Sequence, residues 1–143
     1  MELIKKRQEE IIEEFSMLDE DMEMTLSYIM ELGEELPVFP EDKRTDEHIV
    51  KGCQSKVWMT ASYENDRIHF LADSNTAITK GLVSLLVRVL NQSSLQDVIH
   101  AEIYFPEQIG MSRFIGTQRS NGFAAMIKQM KLFALAFTAK EDQ

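Results

Sequence analysis

The single cysteine of this sequence, Cys53, is the side chain best suited to nucleophilic chemistry. Free cysteines are usually inert core residues, so the residue type by itself indicates little. Its neighbours favour a reactive thiol, because Gly52 suits an exposed turn and Lys51 and Lys56 bring positive charge close by. Nearby cations stabilise the thiolate, which is the nucleophilic form of cysteine. The segment therefore predicts a reactive thiol in a loop.

Other kinds of cysteine chemistry have less support in the sequence. One cysteine cannot form an intrachain disulfide. A cysteine hydrolase needs a histidine and an orienting side chain that converge on the thiol, and no local signature of that kind is visible. An iron–sulfur cluster normally takes several Cys or His ligands, whereas this chain has one Cys and three His. We therefore expect no metal site and no cofactor, although a cluster bridged between two chains stays open.

Charge is distributed unevenly along the chain. Residues 1–47 contain 16 acidic and 5 basic residues, for a local charge of −11, and residues 48–143 contain 8 and 10, for +2. An acidic segment beside a nearly neutral one argues against a nucleic-acid partner, which requires a basic surface. The acids are either the solvated faces of helices or a surface that orients a basic partner.

The length and composition are typical of a folded chain with one domain over residues 1–143. No run approaches the roughly 18 consecutive apolar residues of a membrane span, so no membrane partner is expected. The first ten residues lack the apolar stretch of a signal peptide. Together with the single cysteine, these features predict a cytoplasmic protein.

The elements that must position Cys53 begin with two predicted helices, over about 3–18 and about 20–33. Asp19 is expected to cap the second helix, and Gly33 to close it in a left-handed turn before Pro37. Residues 34–47 are expected to form an extended polar connection. Apolar residues at helical spacing are expected to face the core: Ile4, Ile11, Phe15, Leu18 and Met22 near one face, then Leu26, Ile29, Met30 and Leu32.

A β-hairpin is predicted directly after residues 52–56, the loop that carries Cys53 and that we call the thiol loop. Its strands would cover residues 57–63 and 67–72, joined by a turn at 64–66, with a short third strand at 48–51. Helices on both sides of this hairpin-based antiparallel sheet give a single α+β domain.

Four more helices are predicted after the hairpin. Ser74 would cap a helix that ends at Asn91, and Ser94 would begin a short helix that reaches about residue 99. Pro106 suits the first turn of another short helix, and Thr117 would cap the last one. The methionines on helix faces, at positions 22, 126 and 130, are expected to fill the core.

Four segments of the sequence resemble the SufE family of sulfur acceptors. Residues 51–58, KGCQSKVW, resemble its G-C-Q-S-x-V-W signature, and residues 73–82, DSNTAITKGL, resemble D-S-D-x-A-I-x-K-G-L. Residues 119–126, RSNGFAAM, are similar to R-x-N-G-L-x-A-M, and residues 28–37 to the family's second helix and its exit. The resemblance covers about residues 10–135. The chain departs from the pattern at Asn75, usually an acid, at His48, usually Asn, and at residues 116–118, which replace L-x-P-S.

The resemblance implies a small antiparallel sheet packed with helices, as in SufE and IscU-like proteins. It also implies that Cys53 accepts sulfane sulfur as a persulfide from a pyridoxal-phosphate-dependent, SufS-type cysteine desulfurase, which the chain activates, and passes it to an Fe–S scaffold. Such a protein is a partner in sulfur transfer and not an autonomous enzyme. The alternative is a non-catalytic interaction module of the same fold, in which Cys53 is structural.

The resemblance also suggests roles for residues around Cys53. Arg119 is expected to contact the partner or to assist electrostatically, although it could merely pair with an acid. Gln54 and Asp73 would order the loop through hydrogen bonds, although Asp73 could merely belong to the turn after the hairpin. Because persulfides are easily lost to reductants or oxidants, we expect Cys53 to be sheltered in the free protein and to move outward when the desulfurase docks.

Overall fold

The computed structural model describes residues 1–141, so the last two positions of the predicted domain lie outside the described residues. Two helices, a hairpin and four further helices follow one another along the chain, and short 3-10 turns at Glu41–Lys43 and Asp46–His48 interrupt the connection before the hairpin. Within the described range, no helix is both long enough and apolar enough to cross a bilayer. The elements are α1 Glu2–Ser16, α2 Met22–Glu34, β1 Val57–Glu64, β2 Arg67–Ser74, α3 Ala77–Leu90, α4 Leu95–His100, α5 Phe105–Gln108 and α6 Met111–Glu141.

The predicted hairpin is present, and the α+β class is confirmed. β1 and β2 pair antiparallel from Val57 opposite Ser74 to Glu64 opposite Arg67. The two residues between the strands, Asn65 and Asp66, have φ of 54° and 59°. These left-handed conformations match the twist of a tight hairpin, and Asn and Asp tolerate them well.

The predicted third strand at residues 48–51 is only an isolated bridge. Ile49 pairs with Trp58, and the Val50 amide donates to the Val57 carbonyl at 2.8 Å. The segment that carries Cys53 therefore leaves β1 after a single ladder contact, since Gly52 turns the chain away with φ of 98°.

The hairpin has one buried face, so the expectation of helices on both sides is wrong. Met59 and Ala72 pair on the buried face with Ala61 and Phe70 next to them, whereas Ser62 on the opposite face is exposed. Phe70 packs against Phe133 of α6, with ring centroids 6.4 Å apart. Two strands have too little surface to support two helical layers.

Helices α2 and α3 approach closely through glycine, and this explains an incorrect prediction. Gly33 lies within α2 and does not form a left-handed cap. A Cβ atom on Gly33 would lie 2.7 Å from the Gly81 amide nitrogen of α3. The buried side of α2 is therefore small, consisting of Thr25, Ile29 and Gly33. Of the four apolar residues predicted to face the core from this helix, only Ile29 is fully buried.

The turn between α1 and α2 differs from its prediction. Asp21, and not Asp19, caps α2, because its carboxylate accepts from the Met24 amide at 2.9 Å. Asp19 and Glu20 instead adopt left-handed conformations in the turn itself. As a result, the Met22 side chain is 53% exposed and does not join the core as predicted.

The helix boundaries after the hairpin agree with those predicted from the sequence, except in two places. Ser94 caps α4 and Pro106 lies in the first turn of α5, as predicted. Ser74, however, ends β2, and Thr76 is the residue before α3. The last helix starts at Met111 and is broken at Gly116, where φ is 83° and ψ is 171°, a region that essentially only glycine adopts.

Gln8 of α1 joins α1 to α5 through three hydrogen bonds. Its amide donates to the Glu102 carbonyl at 3.0 Å, and its carbonyl accepts from the Tyr104 and Phe105 amides at 2.9 and 3.2 Å. The side chain is only 1% exposed, so water cannot replace these bonds.

We expect Gln8→Leu to lower the free energy of unfolding by about 3 kcal/mol, because it leaves buried backbone groups without partners. Urea unfolding followed by circular dichroism measures this loss. Glu9→Gln, at the exposed neighbouring position, should change stability by less than about 0.5 kcal/mol. Equal stability of Gln8→Leu and the wild type would contradict the proposed role.

Candidate functional site

Cys53 opens into a cavity of about 420 Å³, which we call the thiol cavity. Its wall comes from three parts of the chain: the loop before β1, one side of α3, and the region around the break in α6. Gln54 and Arg119, both predicted as site residues, line this cavity together with Cys53. The remaining lining residues are Ser55, Thr79, Leu82, Ile115, Gly116, Thr117, Gln118, Gly122 and Met126.

The Cys53 thiol is half-buried, in agreement with the predicted shelter. Its Sγ donates to the Gly122 carbonyl of α6 at 3.4 Å, a bond that only the protonated thiol can form. The two residues are also close neighbours, since a Cβ at position 122 would lie in van der Waals contact with the sulfur, at 3.5 Å. The contact therefore holds a neutral thiol against α6.

Burial raises the pKa of Cys53 above its ordinary value, because the thiolate loses solvation. In the sequence, Lys51 and Lys56 offered positive charge that could stabilise a thiolate, but the direction of the pKa shift was left open. Both lysines are exposed in the structure, where water screens their charge. Burial and the bond to Gly122 therefore both favour the protonated thiol, which is the less nucleophilic form.

We expect iodoacetamide to alkylate Cys53 more slowly in the folded chain than in the urea-unfolded chain at neutral pH. The pH midpoint of the alkylation rate should also lie higher in the folded chain, because the folded state favours the protonated thiol. Alkylation that is quenched at timed intervals and measured by mass spectrometry gives both midpoints. A folded midpoint at or below the unfolded one would contradict a sheltered, neutral thiol.

A set of hydrogen bonds that the sequence did not indicate ties the thiol loop to the start of α3. The Asn75 side chain accepts from the Lys56 amide at 3.1 Å, and the Ser74 hydroxyl donates to the Lys56 carbonyl at 2.8 Å. The hydroxyls of Thr76 and Thr79 both donate to that of Ser55, at 3.2 and 3.3 Å. The run of Ser, Asn and Thr at positions 74–79 signalled local hydrogen bonding, but not its distant partner. Asn75, noted as a departure from the family pattern, thus has a structural role in the loop.

Gly52 permits the sharp turn that precedes Cys53. Its φ of 98° favours glycine, and a Cβ there would lie 3.0 Å from the Ala125 side chain of α6. The turn thereby places the next residue, Cys53, against the same helix. The prediction that Gly52 marks a turn is confirmed.

Arg119 reaches the thiol cavity because α6 is broken at Gly116. The break brings residues 116–119 to the cavity wall, and the Arg119 side chain is exposed there. Across residues 1–141, no ion pair involves Arg119. The alternative that this guanidinium merely pairs with an acid therefore has no support in the described part of the chain.

Asp73 lies outside the lining of the thiol cavity. It is buried at the end of β2, where its Oδ2 accepts from Arg44 at 2.7 Å. Lys80 is 3.5 Å from Oδ1, close enough for an ion pair but too far for a strong hydrogen bond. The Arg44 guanidinium also lies 5.8 Å from the Trp58 ring. Asp73 therefore fastens the connection before the hairpin, and its contacts do not include the loop residues that it was predicted to order.

Comparison with known families relates this chain to Fe–S metabolism. The SufE family profile, described as an Fe-S metabolism associated domain, matches residues 9–134. A solved structure of a hypothetical protein from Thermus thermophilus has the same fold, with a TM-score of 0.74 at 17% identity. That match covers 91% of this chain and 94% of the other.

Curated relatives carry names from the same family. An uncharacterized SufE-like protein of Rhizobium meliloti is 32% identical over 86% of this chain and 91% of its own length. A cysteine desulfuration protein SufE of Wigglesworthia glossinidia brevipalpis is 31% identical over 85% of this chain and 86% of its own. The profile match and these identities lead to one conclusion: the chain belongs to the SufE family, whose profile is described as an Fe-S metabolism associated domain.

Proposed function

We propose that Cys53 accepts the sulfane sulfur of a persulfide held by a pyridoxal-phosphate-dependent, SufS-type cysteine desulfurase. The observation that carries this proposal is the position of the one cysteine, half-buried in a cavity that Arg119 also lines, in a chain of the SufE family. A loop thiol with a cavity in front of it has room for one more sulfur atom.

The transfer step is a thiol exchange. The Cys53 thiolate attacks the terminal sulfur of the desulfurase persulfide, and a new S–S bond forms at Cys53. The S–S bond on the desulfurase breaks, its cysteine leaves as a thiolate, and that thiolate takes up a proton. The proton that Cys53 loses and the proton that the desulfurase gains balance, so no external oxidant or reductant is consumed.

The half-buried resting thiol fits a carrier that is idle until its donor arrives. In the free chain the thiol donates to the Gly122 carbonyl and its pKa is raised by burial. Docking of the desulfurase has to break this contact and bring Sγ towards the donor. Shelter in the resting state also protects a bound persulfide from the reductants of a thiol-rich compartment such as the cytoplasm.

Arg119 is the residue we propose for electrostatic help at this site. Its guanidinium carries a permanent positive charge on the wall of the thiol cavity. A persulfide anion on Cys53, or an acidic side chain of the partner, would gain from that charge. Gln54 lines the same cavity and is exposed, and Lys51 and Lys56 are exposed beside it, so all three are available for contact with a partner.

The second half of the proposed cycle passes the sulfur to an Fe–S scaffold. The same exchange runs in the opposite sense, with a scaffold thiolate attacking the terminal sulfur of the Cys53 persulfide. The chain therefore acts as a partner in transfer and an activator of the desulfurase. Removal of the product persulfide lets the desulfurase turn over again.

Intact-protein mass spectrometry tests the proposal directly. The chain is mixed with a SufS-type desulfurase, pyridoxal phosphate and cysteine, and we expect a gain of about 32 Da that reductant removes. A known acceptor loaded in parallel shows that the donor is competent. A competent donor that leaves the mass of this chain unchanged would overturn the proposal.

A further inference from the structure

Three methionines stand exposed at the turn between α1 and α2. Met17, Met22 and Met24 are 71%, 53% and 54% exposed. We call residues 17–24 the methionine turn. Flexible, polarizable thioethers in such a position suit a surface that adapts to a partner, and a grouped set of exposed apolar residues points to an interaction site.

Acidic groups surround Met24, one of the three methionines of this turn. Met24, Leu18 and the Tyr28 ring line a shallow cavity of about 420 Å³. The same lining contains Asp21, Glu23 and Glu31 and, among the described residues, no basic side chain. Asp21 is occupied in part by the Met24 amide that it caps, whereas Glu23 and Glu31 are exposed. Such a surface is complementary to an apolar side chain flanked by Lys or Arg.

The first turns of α6 lie between the methionine turn and the thiol cavity and line a cavity on each side. Met22 shares a second, smaller cavity of about 140 Å³ with Ile109, Arg113 and Phe114. Arg113 also pairs with Glu20 of the turn at 3.0 Å. Phe114 is followed directly by Ile115 and Gly116, and these line the thiol cavity. A partner that covers the thiol cavity therefore lies next to a part of α6 that also contacts the methionine turn.

We propose that the methionine turn is a docking surface for the cysteine desulfurase, whose contacting face carries an apolar anchor flanked by basic side chains. This inference rests on the proposed function, because it identifies the partner as the protein that brings sulfur to Cys53. The local charge of −11 over residues 1–47 opposes a second copy of this chain on the same surface, since acid would face acid. It equally opposes nucleic acids and anionic membranes.

Binding of variants to the pyridoxal-phosphate-loaded desulfurase tests the apolar part of the surface. We expect Met22→Ser combined with Met24→Ser to raise the Kd by at least about 10-fold in calorimetry, as loss of an anchored contact does. The matched control is Leu132→Ser combined with Leu135→Ser, which removes two leucines of α6 that are 46% and 48% exposed. The control should bind like the wild type.

The acidic residues of this surface predict that binding of the desulfurase depends on the salt concentration. Glu23→Gln combined with Glu31→Gln should weaken binding about 10-fold at low ionic strength, and should reduce the dependence of the association rate on salt. A substitution pair on a surface that the desulfurase does not touch would leave both quantities unchanged.

Hydrogen exchange on the unmodified chain gives an answer that does not depend on the folding of any variant. Adding the desulfurase should slow amide exchange in residues 17–24 at least about 5-fold, as well as around Cys53. Wild-type affinity of the methionine variant, absence of any desulfurase binding, or unchanged exchange at residues 17–24 would each overturn the inference. Methionine-dependent binding to an Fe–S scaffold and not to the desulfurase would also overturn it.

The carrier function of Cys53 and the docking surface at the methionine turn can be tested separately. A small polysulfide needs no docking surface, so it should load Cys53 equally in the wild type and in the methionine variant. A desulfurase that binds through the methionine turn but transfers no sulfur would overturn the carrier function and support the docking surface. A desulfurase that loads Cys53 equally well in both proteins would support the carrier function and overturn the docking surface.

Discussion

Replacing Cys53 by serine is expected to abolish sulfur uptake from the desulfurase while the fold is kept. Serine has nearly the shape of cysteine, but its oxygen cannot hold a sulfane sulfur as a persulfide. The wild type should gain about 32 Da in the presence of desulfurase and cysteine, and Cys53→Ser should gain nothing. The Gly122 carbonyl can accept from a serine hydroxyl in place of the thiol, so we expect a stability change below about 1 kcal/mol.

A displaced thiol is the matched control for this experiment. Cys53→Ser combined with Ser62→Cys keeps one cysteine per chain, on an exposed position of β1 that does not line the thiol cavity. We expect its uptake of sulfur to be at least about 100-fold slower than that of wild type, since the donor cannot orient it for attack. Uptake by Cys53→Ser alone, or equal uptake by the displaced thiol, would show that Cys53 is not the acceptor and would favour the interaction-module alternative.

Gly81→Ala is expected to lower the free energy of unfolding by a few kcal/mol. A Cβ atom on Gly81 would lie 2.6 Å from the Ile29 carbonyl carbon and still closer to its oxygen. Both are backbone atoms of α2, so relief requires the two helices to move apart. Alanine is favoured over glycine in a helix by about 1 kcal/mol, but overpacking of this severity costs about 3 kcal/mol or more. Strain should therefore dominate.

Thermal unfolding measures the outcome. A net loss of a few kcal/mol in a chain of this size lowers the Tm by roughly 10 °C. Gly33→Ala, whose Cβ would lie 2.7 Å from the Gly81 amide nitrogen, should show a smaller effect of the same sign. Ser27→Ala, on the exposed side of α2, should be neutral or slightly stabilising. A Tm of Gly81→Ala at or above that of wild type would contradict the close approach of the two helices.

Local signals in the sequence determined most of the elements and the choice of Cys53 as the proposed nucleophile. The hairpin followed from two β-rich runs around a short polar turn, and the α4 and α5 boundaries followed from Ser94 and Pro106. Each of these depends on residues within a few positions, where propensity and capping act directly. The loop position of Cys53 after Gly52 was equally local, and the family resemblance supplied its chemical role.

The N-cap of α2 was less well determined by the sequence, because two nearby residues offered the same capping chemistry. Asp19 and Asp21 are both good N-caps, and only the path of the turn selects Asp21. That choice moves the start of α2 by two residues and turns Met22 away from the core. Because the predicted start of α2 was two residues too early, the exposed methionines of this turn were not identified from the sequence.

The surroundings of the thiol were decided by tertiary structure alone. Lys51 and Lys56 are close to Cys53 in sequence and left the direction of its pKa shift open, whereas packing against α6 half-buries the sulfur and raises the pKa. The α6 break at Gly116 brings Arg119 to the same cavity from far along the chain. Sequence by itself determined which residue we propose as the nucleophile, since residue type and local motif indicate a reactive thiol. Which groups surround that nucleophile was set by long-range packing of α3 and α6 against the loop, and no local pattern encodes such distances.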